Sequence, residues 1–325
     1  MEQKPQMHMQ YQPLKLVLIG RGLAAKQCFA AIINAKHPEF RVVGVITDIV
    51  NPVNQVVCHD VDNLAKHLNL SAFSGDINLP DGIKWIDEIR PDIGIMFGYP
   101  RKLTQLIIDR FNRFVLNIHP SDLPKHRGAY PLHQQIIQND PLVVTIHKID
   151  TRFDAGSWIY KSSPIDISYL TREEVYGLMK QQAILGIVKV LENLSNLKLE
   201  FKDQNECLVS YATEATTGKL CTRINWQNDL DIICNIIRAA GTRSGISTTL
   251  VIRYEQKIET KIYSAYGIRQ EHSHQPGEVL AYQNKSFKVA ATHGFLIIDD
   301  LRNDQGKSLD LTNMLASNGN DLIFV

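Results

Sequence analysis

Asn117, His119 and Asp154 form a workable set for acyl transfer. A histidine moves protons near neutral pH. An asparagine can donate a hydrogen bond to a developing oxyanion. An aspartate can orient the imidazole or take part in the proton transfer. Asn117 and His119 stand two apart at the end of an expected strand, RFVLNI over 113–118. Period-two alternation puts them on one face. The C-terminal edge of a parallel sheet is where open α/β proteins bind ligands. A loop containing Pro and Gly follows His119, and Phe153-Asp154-Ala155-Gly156 closes a second loop. Taken alone, an Asn-x-His pair reads more simply as a turn cap beside a structural histidine.

A second motif is Gly20-Arg21-Gly22-Leu23-Ala24-Ala25, between a strand and a helix, with Asp48 ending the next strand. It fits G-x-G-x-x-A, a dinucleotide fingerprint whose helix N-terminus holds phosphate. It equally fits a tight turn that needs glycine for backbone reasons alone. His272 and His274 suggest a metal, but no third ligand is evident, so a polar loop is the reading. His59, beside Cys58, reads as an exposed loop residue.

These residues need a scaffold. Strand signals at 14–19, 41–47, 92–97 and 113–118 alternate with helical stretches at 23–36, 61–69, 82–90 and 102–111. Such alternation argues for a Rossmann-like α/β domain with a mostly parallel sheet. Strands at 142–150 and 157–165 and a long helix over 171–194 complete it. Residues 197–218 read as a polar linker. One helix, 229–240, then precedes runs at 248–254, 257–268, 277–282, 286–291 and 294–301. Successive strands with Gly/Asn turns suggest a small barrel or sandwich. The expected domains are 13–200 and 210–325.

Composition narrows the class. The 325 residues suit about two domains of roughly 150 each. An apolar fraction of 44% with 21% charged residues excludes a disordered chain. No run approaches the ~18–20 apolar residues of a membrane span, so no membrane partner is expected. Lys+Arg total 35 against 34 Asp+Glu, a net charge of +1 without the basic excess of a nucleic-acid binder. Five scattered cysteines without a C-x-x-C pair argue against a disulfide framework or a thiolate zinc site. The polar N-terminus lacks an apolar signal region. A cytoplasmic location and a frayed tail over the first dozen residues are expected.

NIHPSDLPKHRGAYPLHQQI followed by TIHKIDTRFDAGSWI resembles the folate-dependent formyltransferase family. The pattern is N-x-H, an S-x-L-P-x-x-R-G type loop and a later D-x-G, over the first ~195 residues. INWQNDLDIICNIIRAAG, QPGEVL and HGFLIIDDLRNDQGKSL follow in the order of members with an OB-like second domain. The resemblance implies Asn117, His119 and Asp154 as the catalytic trio and N10-formyltetrahydrofolate as formyl donor, with no metal. An amine attacks the formyl carbon, Asn117 and protonated His119 stabilise the oxyanion, and Asp154 helps relay the proton. It also implies a pterin between Phe97-Gly98-Tyr99 and Asp150-Thr151-Arg152-Phe153, held largely by backbone. It turns Gly20, Arg21 and Gly22 toward the acceptor, with Arg21 facing a pyrophosphate. Ser121, Lys125 and Arg127 are further acceptor-side candidates, Arg127 being equally suited to holding its loop.

Members acting on tRNA carry a basic insertion after the second strand. Here Thr47 to Ala65 contains no Lys or Arg. Residues 211–325 hold 12 Lys+Arg and 12 Asp+Glu, a net of zero. A phosphate-binding surface for tRNA is therefore not expected. The expected acceptor is a nucleotide-linked amino sugar, a precursor of surface polysaccharide or lipopolysaccharide (O-antigen) biosynthesis. The alternatives are a methionyl-tRNA formyltransferase, an enzyme for an amino-acid-derived amine, an NAD oxidoreductase and an inactive binding module. The second domain departs from the family at RAAGTRSGISTTL, and a dimer surface is one reading of it.

Overall fold

The computed structural model describes residues 12–52, 55–195, 199–252, 256–283, 286–309 and 322–325. Residues 1–11 of the expected tail lie outside these, as do positions 253–254 of the expected strand 248–254. The chain divides into two compact units. One takes Met1–His119, Val144–Ser162 and Lys180–Asn205, the other Pro120–Val143, Ser163–Met179 and Glu206–Val325.

The first unit is built on a seven-stranded sheet. Its strands are β1 (Leu14–Gly20), β2 (Phe40–Thr47), β3 (Ser71–Ser74), β4 (Ile93–Phe97), β5 (Phe114–His119), β6 (Thr145–Lys148) and β7 (Trp158–Lys161). Their order is β3-β2-β1-β4-β5-β6-β7. The first five are parallel, and β6 and β7 join antiparallel. The order reverses between β1 and β4, which makes that crevice the topological switch point. Helices α1 (Gly22–Asn34), α2 (Asp60–His67), α3 (Pro80–Ile89) and α4 (Gln105–Ile108) fill the parallel connections. Leu16 to Ile19 of β1 are fully buried, as expected of a central strand covered on both faces. Val17, Ile19 and Ile46 pack with Ile107, Phe111 and Val115 on one side.

In the second unit, α5 (Pro131–Gln138) and α7 (Leu230–Ser244) accompany an antiparallel sheet. Helix α6 (Arg172–Ser195) precedes α7 in the chain. The sheet comprises β8 (Ile246–Ile252), β9 (Gln256–Arg269), β10 (Val279–Gln283), β11 (Ser286–Ala291), β12 (Gly294–Asn303) and β13 (Leu322–Phe324). Their order is β10-β11-β12-β9-β8-β13, and a bridge from Glu278 to Ile323 brings the two edges together. The strand run suggests a small barrel or sandwich, and this sheet is barrel-like, fitting the OB-like domain that the resemblance implies. Trp226 stacks on Phe324 inside it at 5.5 Å. Asp229 caps α7 by accepting the Asp231 N–H at 3.0 Å.

Four local expectations change. The gap between the second and third expected helices holds β3, a short, largely exposed edge strand whose SAFS sequence lacks apolar alternation. The helix expected over 102–111 shrinks to α4, because the Asn78 side chain accepts the Thr104 N–H and fixes its start. Residues 131–138 form α5, which Pro131 initiates at its first turn. The expected linker is pinned along 206–213. Arg127 N–H donates to Ser210 O at 2.9 Å, and Ala212 N–H to Arg127 O at 2.8 Å. Buried loop backbone needs such partners. No helix among the described residues is long and apolar enough to cross a membrane.

Burial pushes the His133 imidazole on α5 down to about 4, and the Arg172 cation acts in the same direction. Its folded pKa lies below the ordinary 6.5, so the unfolded chain takes up the proton first. That contribution to stability is present above about 6.5 and is lost as pH falls toward about 4. Urea denaturation at pH 7 and 4.5 should show a smaller pH-dependent loss in His133→Gln than in the unmodified chain. Equal losses in both proteins would count against the assignment.

Candidate active site

The site forms where parallel pairing gives way to antiparallel pairing. Asn117 stands in register with Met96 of β4 on one side and His147 of β6 on the other. Asn117 and His119 therefore end β5 on the same face, and both are buried. After β6 the chain turns through Ile149 to Gly156. Gly156 has no substitute there: a Cβ would lie 2.1 Å from the Lys148 carbonyl oxygen. Asp154 adopts φ +49°, a left-handed conformation that only a few non-glycine residues take up. Gln204 holds it there, donating to the Asp154 and Gly156 carbonyls at 2.8 Å each. Backbone strain of this kind persists where surrounding bonds over-determine it.

The turn brings the Asp154 carboxylate between two imidazoles and an amide. Its Oδ2 is 3.6 Å from His119 Nδ1, and its Oδ1 is 3.5 Å from His147 Nε2. Asn117 Nδ2 donates to Asp154 Oδ1 at 3.3 Å and lies 3.2 Å from His147 Nε2. His147 Nδ1 faces the Lys148 carbonyl at 2.7 Å. A carbonyl only accepts, so Nδ1 carries the proton. In neutral His147, Nε2 then accepts from Asn117. Asp154 remains 15% exposed while the His119 and His147 side chains are at 5% and 2%. The carboxylate is thus the group of this cluster most open to solvent.

The structure brings the three expected catalytic residues together and adds His147 and Gln204. His147 was legible only through pairing. Its strand, TIHK, must run antiparallel to FVLNIH before His147 falls opposite Asn117. Gln204 lies in the stretch read as linker and offered no signal.

The other candidate positions divide. Gly20 and Gly22 frame the first turn, where a Cβ on Gly20 would sit 2.4 Å from the Phe97 carbonyl oxygen. The Arg21 guanidinium donates to the Asp48 carbonyl at 3.0 Å and to the Val56 carbonyl. It is engaged with its own chain rather than with an open pocket. The Asp48 carboxylate, the ribose partner of a dinucleotide reading, receives Arg101 Nε at 2.6 Å. Arg101 also reaches Asp76 at 3.2 Å, and Tyr99 donates to the Gly75 carbonyl at 2.6 Å. The loop after Phe97 and Gly98 is thereby tied to the loop after β3. Asp150 accepts the Arg152 N–H at 2.8 Å and pairs with its guanidinium at 3.1 Å, shaping the turn around exposed Thr151. Phe153 is 63% exposed, with the Lys102 ammonium 4.8 Å from its ring centre. In the second unit, Ser121 donates to the Lys125 carbonyl at 2.7 Å, and Lys125 itself is exposed. Arg127 is buried and makes a two-pronged pair with Glu206 at 3.0 and 3.1 Å. That geometry holds a loop. His272 Nε2 lies 2.9 and 2.8 Å from the Ala291 and Gly294 carbonyls, which only accept, so this nitrogen carries its proton and donates to them. Among the described residues, no group of three or more His, Cys, Asp or Glu could hold a metal ion.

Residues 14–191 match the formyl transferase family, and residues 219–319 match the formyl transferase C-terminal domain. The chain is 26% identical over 307 residues to the methionyl-tRNA formyltransferase of Pseudothermotoga lettingae, covering 93% of this chain and 96% of that one. Its fold is similar to that of an N-formyltransferase from Helicobacter canadensis, solved with folinic acid and dTDP-3-aminofucose. That likeness has a TM-score of 0.65 at 20% identity and covers 88% and 98% of the two chains. A 4-N formyltransferase from Francisella tularensis is similar over 72% of this chain and 91% of that one, with a TM-score of 0.59 at 19% identity.

The Gly156 contact makes a prediction. Gly156→Ala should displace the Asp154 turn and lower turnover by on the order of 100-fold, with far-UV circular dichroism unchanged. Wild-type turnover in that variant would show that the close approach does not position Asp154.

Proposed function

The chain belongs to the formyltransferase family, and from that premise we propose its acceptor and its division of labour. It carries the formyl group of N10-formyltetrahydrofolate to the primary amine of a nucleotide-linked amino sugar. The acceptor reading rests on one observation. The connection after β2 has no Lys or Arg from Thr47 to Ala65, so it offers a tRNA backbone nothing to neutralise its charge. The likeness to the Helicobacter canadensis enzyme supports the same class of acceptor. The sequence identity to the Pseudothermotoga enzyme favours the second reading, methionyl-tRNA.

A folate bound here would supply an activated formyl group on N10. The Phe97–Tyr99 and Asp150–Phe153 loops suit it. Phe153 offers an open aromatic face, and Lys102 beside it offers a cation for an anionic tail. The chain's own residues would then divide the proton and charge transfers. Asp154, the most open group of the cluster, would take the proton from the attacking amine and return it to the departing N10 as the formyl carbon–N10 bond breaks. Protonated His119 and the Asn117 amide face the negative charge that develops on the formyl oxygen. The Asn117 bonds to Asp154 and His147 are long, so a stronger acceptor can compete for its hydrogens. Such bonds tighten only in the reacting complex. His147 acts as a positioning residue that keeps the Asn117 amide in one orientation.

Incubation with N10-formyltetrahydrofolate and a panel of dTDP-, UDP- and GDP-linked amino sugars tests this. One sugar should gain a single formyl mass. His119→Ala and Asn117→Ala should each slow that gain by about 10²–10³-fold. Formylation of methionyl-tRNA alone, weakening steeply with salt, would replace the acceptor while leaving formyl transfer in place.

A further inference from the structure

The first unit carries a cavity that the proposed chemistry does not use. It encloses about 290 Å³. Leu16 of β1, Ile32 and Ile33 of α1, and Val188 and Leu191 of α6 supply its apolar walls. Phe40 and Val42 open β2 on its other side. The first residues of β1 and β2 mark the N-terminal edge of the parallel strands. Asn117 and His119 stand at the C-terminal end of β5. The cavity is therefore at the opposite edge of the sheet from the catalytic cluster.

Its mouth is basic. Lys36, His37 and Arg41 line it, against one acid, Glu192. Lys36 and Arg41 are exposed. Lys36 follows the end of α1, where a helix favours a cation. Arg41 lies on β2 and has no such dipole to answer. An apolar floor of this size is near the lower end for small-molecule pockets, in which a few polar groups fix orientation.

We propose that this cavity binds an amphipathic anion, a fatty-acyl carboxylate whose chain lies on the apolar floor and whose head pairs with Arg41 and Lys36. The site is separate from the formyl-transfer machinery and does not depend on the identity of the acceptor.

Isothermal titration of the full chain with octanoate, decanoate and decylamine tests it. Decanoate should bind saturably at one site, about fifteenfold tighter than octanoate for the two added methylenes. Decylamine should not bind. The surface double variant Lys36→Glu/Arg41→Glu should weaken decanoate about tenfold without changing formyl transfer. Val188→Trp, which fills the floor, should abolish binding. Absence of saturable decanoate binding would overturn the proposal. So would equal binding of decylamine, or an unchanged affinity in the charge-reversed variant, which keeps its fold whatever Val188→Trp does.

Discussion

Antiparallel pairing of β6 on β5 is the constraint from which the site follows. In that register Asn117 faces His147, and their side chains emerge on one face of the sheet. A one-residue slip would send His147 to the other face. The same pairing fixes where β6 ends and where the next turn must begin. Gly156 can pass within contact of the Lys148 carbonyl only because it lacks a side chain. Asp154, two residues earlier, is then carried back over Asn117 and His119. Strand register, a bare glycine and the Gln204 bonds together place one carboxylate 3.3 Å from the Asn117 amide, 3.5 Å from His147 and 3.6 Å from His119.

Electrostatics explains why that placement matters. The Asn117 amide donates to the Asp154 carboxylate and His119 stands beside it, whereas the bare Nε2 of neutral His147 offers it no proton. In the proposed mechanism this carboxylate takes the amine's proton where it stands. The surrounding loops are held separately. Arg101 ties the strand ends of β2 and β4 through Asp48, and Glu206 takes up the charge of Arg127. Arginines that suggested anion binding are thus used inside the fold. The glycine turn at the switch point serves close packing against Phe97, and the acid that would bind ribose in a dinucleotide fold is already paired.

The sequence revealed the parallel framework because central strands such as LKLVLI are apolar on both faces. It singled out Asn117, His119 and Asp154 because N-x-H and D-x-G belong to a resemblance with several parts, and the three side chains do lie together. It concealed β3, whose SAFS sequence has no alternation, and α5, whose start coincides with a loop rich in turn residues. It concealed His147 because a lone histidine in a strand acquires meaning only through its cross-strand neighbour. Arg21 and Arg127 are open in sequence between a ligand and a structural role, and the folded chain shows the backbone carbonyls and the carboxylate that engage them.

The central claim is that the β5–β6 register orients Asn117 through His147. A double-mutant cycle on single-turnover formyl transfer, with Asn117→Ala and His147→Phe, tests it most directly. If His147 acts through Asn117, the double variant will be no slower than Asn117→Ala alone. A double variant slowed by the product of the two separate losses would contradict the account.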